Sequence, residues 1–182
     1  MIRVRRVEEP ATLASKKDEW QRKLELKREK APKARPENHQ YAHRDVVEAL
    51  EAMSHRKCVY CESNERLSVD HYIEVAERPD LSFSWENLYL ACADCQRKLP
   101  NTSVPARECV DPCDGEQDPA EHLCFDPEYS QFLTPRGEQT IRKYRLKDEL
   151  RASERRRLLQ LFTRELLALI EVKGWRDLSG EE

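Results

Sequence analysis

The 182-residue chain is short of apolar residues and has no long run of them. Hydrophobic types make up 38% against 37% charged, and the mean hydropathy is -0.88, so the core is expected to be modest and a metal staple would help to specify it. No segment approaches the roughly 18 to 20 apolar residues that span a bilayer, and the opening MIRVRRVEEP lacks the apolar centre of a secretory signal. A cytoplasmic protein without a membrane partner is expected. There is also little net charge: the formal value is -3, which by itself argues for no nucleic-acid partner. Internal repeats and low-complexity stretches are absent, and neither Gly nor Pro interrupts residues 11–30.

What is present is segregated charge and cysteine. Between Lys16 and Arg35 nine basic residues face four acidic ones, whereas eight acids and no Lys or Arg lie between Glu108 and Glu128. A chain divided in this way can offer a basic face to phosphate while its overall balance stays acidic. The basic run reads first as a solvated helix face and second as a phosphate-contacting arm. The seven cysteines, an odd number, read as thiols and metal ligands rather than disulfides in a cytoplasmic setting.

Four regions are expected. Residues 1–54 hold a short N-terminal strand closed by Pro10, a helix over Ala11 to Lys30 with a thin stripe of Leu13, Trp20, Leu24 and Leu26, a loop over APKARPENHQ, and a helix over His43 to Ser54 with Val46, Val47, Leu50 and Met53 on one face. Residues 55–100 carry the chemistry. Residues 101–146 are proline-rich and read as an ordered loop with short extended pieces such as His122 to Phe125, a turn at Thr134-Pro135-Arg136-Gly137 and a strand over Glu138 to Tyr144. Residues 147–182 hold an amphipathic helix from Lys147 to Val172, stopped by Gly174, with core burial as its default. The fold class is α+β, mainly α by content.

Two Cys-x-x-Cys pairs, Cys58/Cys61 and Cys92/Cys95, have the spacing of a structural zinc site that closes a tetrahedron with four thiolates. Between them a strand is expected over Leu67 to Ile73, and a helix is expected to start within Tyr89 to Leu99. Four further residues, Cys109, Cys113, His122 and Cys124, have ligand chemistry but no recognisable zinc spacing, and ordinary thiols are the default for the cysteines among them.

Asp70-His71, then Asn87, then Gln96 after Cys95, set within the four-cysteine frame, resemble the HNH endonucleases of the ββα-metal type. That resemblance implies metal-dependent hydrolysis of DNA phosphodiester bonds. His71 would be the general base, Asp70 and Gln96 would hold a catalytic Mg²⁺ or Mn²⁺, Asn87 would orient His71 or its loop, and Lys98 and the basic N-terminal segment would contact flanking phosphates. Gln96 departs from the His or Asn of the family, and Asp94 is a substitute ligand to consider. Lys57 to Glu62, Val69 to Tyr72, Trp85 to Leu88 and Ala91 to Lys98 further resemble the PtuB-type HNH proteins of Septu and retron-linked anti-phage systems. This implies a PtuA-like ATPase partner and, in a retron setting, a reverse transcriptase with its msDNA. The alternative is a catalytically weakened zinc module that binds nucleic acid or docks the ATPase, with Gln96 as the mark of a decayed site.

Overall fold

The computed structural model describes residues 1, 3–125, 130–147 and 149–173. Helix α1 (Ala11–Lys30) buries Leu13, Trp20 and Leu24 and leaves Leu26 exposed, so the expected stripe holds for three of its four members. Three of its seven basic residues form surface ion pairs: Lys17 with Glu9, Lys23 with Glu19 and Lys27 with Glu37. The segment read as a loop contains one short helix, α2 (Asn38–Tyr41), started by a capping box between Glu37 and Gln40. Helix α3 (Arg44–Met53) follows, with Val46 and Leu50 fully buried against α1 and the central hairpin.

That hairpin is the centre of the molecule. Strands β1 (Leu67–His71) and β2 (Leu88–Cys92) pair antiparallel, with Leu67 opposite Cys92 at one end and His71 opposite Leu88 at the other. Every residue of β2 is buried, because helices and loops cover it on both faces. A four-residue helix, α4 (Ala93–Gln96), leaves β2 directly. The helix expected to begin within Tyr89 to Leu99 is therefore confined to four positions, the preceding residues being claimed by the strand.

Beyond Leu99 come a short helix α5 (Pro119–His122), a two-stranded ribbon of β3 (Leu123–Phe125) and β4 (Ser130–Phe132), and two helices, α6 (Pro135–Tyr144) and α7 (Glu149–Lys173). Two expectations are corrected. The N-terminal segment forms no strand among its described residues; the Met1 ammonium on Glu62, the Val4 N–H on the Pro112 carbonyl and the Arg6 guanidinium tie it down. Residues 138–144 are helical, since Thr134 and Pro135 are an N-cap and first helical position rather than a turn: the Thr134 hydroxyl accepts from the Gly137 N–H at 3.2 Å. Gly137 is required there, because a Cβ would lie 2.0 Å from the His122 carbonyl oxygen. The expected stop at Gly174 lies outside the described residues.

Helix α7 departs most from the default reading. Leu158, Leu159, Leu161, Phe162, Leu167, Leu169 and Val172 are exposed, so its apolar face is surface rather than core within this chain. Among the described residues no helix is long and apolar enough to cross a membrane.

Candidate functional site

The hairpin carries one chemical centre at each end. At the Leu67–Cys92 end the tight turn after α3 delivers Cys58 and Cys61, β2 ends in Cys92, and α4 supplies Cys95. The knuckle closes with Glu62 N–H on the Cys58 carbonyl at 2.8 Å and Cys58 N–H on the Ser63 carbonyl at 2.8 Å, and Glu62 takes a left-handed backbone with φ 67° to allow it. The four sulfurs lie within 4.8 Å of one another, with Cys61 and Cys92 at 3.5 Å. Hydrogen bonds from Cys58, Cys61 and Cys95 hold the Cys92 thiol far below its ordinary range, while the same contacts push Cys95 up. Four soft donors at this separation form a closed tetrad, and the ion suited to it is zinc. Cys109, Cys113, His122 and Cys124 form no such group among the described residues: Cys109 is buried, Cys124 exposed, and His122 Nδ1 bonds the Thr134 hydroxyl at 2.7 Å.

At the other end Asp70 and His71 border an open cleft of about 990 Å³. Arg35, Arg78 and Arg107 bring positive charge to its lining, and Glu74 and Glu77 negative charge. His71 Nε2 donates to the Ser82 carbonyl at 2.9 Å, and the ring meets Tyr41 edge-on with centroids 4.7 Å apart. A carbonyl only accepts, so Nε2 carries the proton and Nδ1 keeps the lone pair in the neutral ring. Burial lowers the His71 pKa below 6.5, outweighing the Ser82 bond and the Asp70 charge that raise it. The neutral form, which can take a proton, therefore prevails at neutral pH.

Asn87 touches neither Asp70 nor His71 by hydrogen bond. Its Oδ1 accepts from Ile73 N–H at 2.8 Å, and its Nδ2 donates to the Ile73 and Leu81 carbonyls at 3.1 Å each. It thus ties the exit of β1 to the loop that presents Ser82 to His71. Arg6 secures the turn that carries Asn87, donating to the carbonyls of Trp85 at 2.8 Å, Glu86 at 2.7 Å and Leu88 at 2.7 Å while stacking 4.1 Å over Tyr89.

The expected cation donors are each held in place by neighbours. Asp70 Oδ2 accepts from Lys98 Nζ at 2.6 Å and from the Tyr60 hydroxyl at 3.2 Å. The Lys98 and Asp70 side chains are only 4% and 9% exposed, so this is a buried pair, and removing one partner of such a pair costs about 3–5 kcal/mol. Gln96 turns its amide nitrogen onto the hairpin, donating to the Ser68 hydroxyl at 2.7 Å, the Ala91 carbonyl at 2.8 Å and the Ser68 carbonyl at 3.3 Å. Two carbonyl acceptors fix which end of the amide faces the strands. Asp94 is committed to Arg97 and to Arg66, the latter at 3.6 Å. These contacts engage Asp70 through Oδ2 and Gln96 through its amide nitrogen; Asp70 Oδ1 and Gln96 Oε1 are the oxygens that could hold Mg²⁺ or Mn²⁺.

Two supporting residues escaped sequence reading. Tyr60, inside the first Cys-x-x-Cys, is fully buried, stacks on Tyr144 with centroids 3.8 Å apart, and reaches Asp70. Burial pushes the Tyr60 phenol well above its usual range, which keeps it a donor. Lys143 is fully buried too, and its ammonium binds Asn101 Oδ1 at 2.6 Å, the Val104 carbonyl at 2.9 Å, the Leu99 carbonyl at 3.1 Å and Glu74 at 3.2 Å. It thereby clamps α6 to the loop forming one cleft wall. Nothing in the run Arg142-Lys143-Tyr144-Arg145 marks it, although recognising the Thr-Pro helix start would have placed it on a helix beside Tyr144.

Residues 58–102, from the first cysteine of the tetrad to the loop past Lys98, match the family model described as HNH endonuclease. No curated protein matches the chain.

Proposed function

We propose that the HNH segment hydrolyses DNA phosphodiester bonds, with His71 as the general base that takes a proton from water. The observation that carries this reading is the neutral, oriented imidazole: Nε2 held by the Ser82 carbonyl, Nδ1 left to accept, on a cleft that borders the HNH segment and carries Arg35, Arg78 and Arg107 beside Glu74 and Glu77. Hydrolysis needs a base that is unprotonated near neutral pH, and burial gives His71 that property. Asn87 acts as a positioning residue, holding the Ser82 loop against β1. Arg35 and Arg107 at the rim suit the phosphates that flank a cleavage point, contacts that hold DNA without reading its sequence. The four cysteines hold zinc in a structural role and leave it no open position.

The likeness to PtuB-type proteins extends the proposal to a place beside a PtuA-like ATPase in anti-phage defence. The exposed apolar face of α7 is consistent with a partner that covers it. Co-elution of the chain with such an ATPase tests that arm.

The testing experiment incubates the zinc-loaded chain, alone and with an ATPase partner, with supercoiled plasmid and with single-stranded DNA in Mg²⁺ or Mn²⁺. Nicking or cutting is expected, and His71→Ala abolishes it while leaving the melting curve unchanged. Equal cutting by His71→Ala ends the proposal. A second reading, a module that binds DNA or a partner without cutting, is favoured by the commitment of Asp70 to Lys98 and of Gln96 to the strands. Gln96→Asn separates the two: it raises cleavage if the site is attenuated and changes nothing if the module only binds.

A further inference from the structure

Two concave surfaces of the molecule meet at Arg35 and Pro36. One is the cleft of Asp70 and His71; the other is a groove of about 340 Å³ between α1 and the turn into α2, and both residues line both. The groove therefore opens onto the rim of the cleft. Its walls carry Lys23, Lys27, Lys30 and Arg35 against one acid, Glu37, over a floor that includes the buried Trp20 and Leu24. The three lysines stand at i, i+4 and i+7 of α1, a single ridge that a rise of about 1.5 Å per residue spreads over roughly 10 Å. A strand in duplex geometry advances about 3.4 Å per nucleotide, so the ridge matches about three consecutive phosphates. The shape is set before any ligand arrives. Arg28 donates to the Ala34 carbonyl at 2.8 Å and fixes the turn after α1, while the Glu37–Gln40 capping box starts α2 across from it. Lys23 and Lys27 hold Glu19 and Glu37 only in solvent-exposed pairs, which are weak enough for a phosphate to replace the carboxylate. Lys30 and Arg35 form no ion pair among the described residues.

We propose that the α1–α2 groove is a track for one DNA strand, carrying its sugar–phosphate backbone from Lys23 past Lys30 and Arg35 into the His71 cleft. The inference rests on the reading of that cleft as a DNA site and deepens it, because it gives the bound strand a path beyond the cleft. A groove of this volume takes one strand rather than a duplex. Glu74 and Glu77 disfavour a backbone at their part of the cleft, so the basic side at Arg35 is where the strand enters or leaves. The track lies outside residues 58–102: the HNH segment supplies the chemistry, and the helices before it supply the grip.

The experiment follows fluorescence anisotropy of a labelled single-stranded oligonucleotide bound by zinc-loaded full-length protein without Mg²⁺ or Mn²⁺, over a series of salt concentrations. Lys23→Glu/Lys30→Glu is expected to weaken binding at least about tenfold and to reduce the slope of log affinity against log salt by about 1.4, two single-strand phosphates at about 0.7 each. Arg22→Glu/Arg44→Glu changes the net charge equally at exposed positions off the groove, and salt screening should hold its effect below about twofold. Equal losses from the two pairs would overturn the proposal, since positive charge anywhere on the surface would then serve. So would full binding by the groove pair, or a wild type that binds duplex but no single strand. Should Lys23→Glu/Lys30→Glu lower the melting transition, Lys23→Gln/Lys30→Gln takes its place with the same expected slope. Plasmid cutting by wild type with no groove-dependent binding sinks the track alone; groove-dependent binding with no cutting sinks the nuclease reading alone.

Discussion

The two ends of the β1–β2 hairpin solve the same problem, burying polar ligand groups, in opposite ways. At the Cys92 end four identical donors converge, and none of them can neutralise the others, so the site needs a cation from outside. At the His71 end unlike groups hold one another in place through part of their atoms: Asp70 Oδ2 with Lys98 and Tyr60, the Gln96 amide nitrogen with Ser68 and Ala91, Asn87 with Ile73 and Leu81. A site made of like groups depends on its ion for its shape, whereas a site made of unlike groups is held in shape by its own hydrogen bonds.

The largest effect expected from that difference is on zinc. Stripping the tetrad with a chelator, or making Cys58→Ala, removes a contribution on the order of 10 kcal/mol in comparable small modules. Loss of cooperative thermal unfolding by circular dichroism should follow, with recovery on adding Zn²⁺; an unchanged transition would mean that the hairpin stands without its staple.

His71→Ala attacks the opposite end and should be silent in the melt. Cleavage is expected to fall by about 10²–10⁴-fold, the usual contribution of a positioned base. A comparable fall in melting temperature would show that the imidazole is a packing element first.

Asn87→Ala lies between these extremes. Ile73 N–H and the carbonyls of Ile73 and Leu81 lose their partner in a residue that is 4% exposed, which should cost about 2 kcal/mol in denaturant unfolding and loosen the Ser82 loop. A drop in stability with full cleavage would separate Asn87 from the presentation of His71.

The smallest effect is that of pH. Because burial lowers the His71 pKa, the base is neutral above the ordinary histidine value of 6.5 and is lost only as pH falls through its lower folded value. Cleavage should therefore be flat from neutrality down to about 6.5 and decline about tenfold per unit once below the folded value. An acid limb centred above 6.5 would show that the titrating group is not this buried imidazole.

Much of the molecule was legible in the chain because its signals are local. The twenty residues without Gly or Pro become α1 with the expected bounds, and α3 and β1 fall where their apolar spacing puts them. Residues 138–144 were misread because Thr134-Pro135 opens a helix as readily as it makes a turn, and only burial of Ile141 and Tyr144 decides. The default burial of α7 failed for a related reason: a wide apolar face announces that something should cover it without saying whether the cover lies in the same chain.

By itself the sequence determined the tetrad, since two Cys-x-x-Cys pairs have no better partners than each other, and it brought forward Asp70, His71 and Asn87 as candidates for the second centre. It could not determine who pairs with whom there. Lys98 seats itself on Asp70, Lys143 reaches Glu74 from 69 positions away, and Arg6 anchors the Asn87 turn from 79 to 82 positions away. A lone charge accepts any opposite charge that packing brings within reach, so its partner is a property of the tertiary structure.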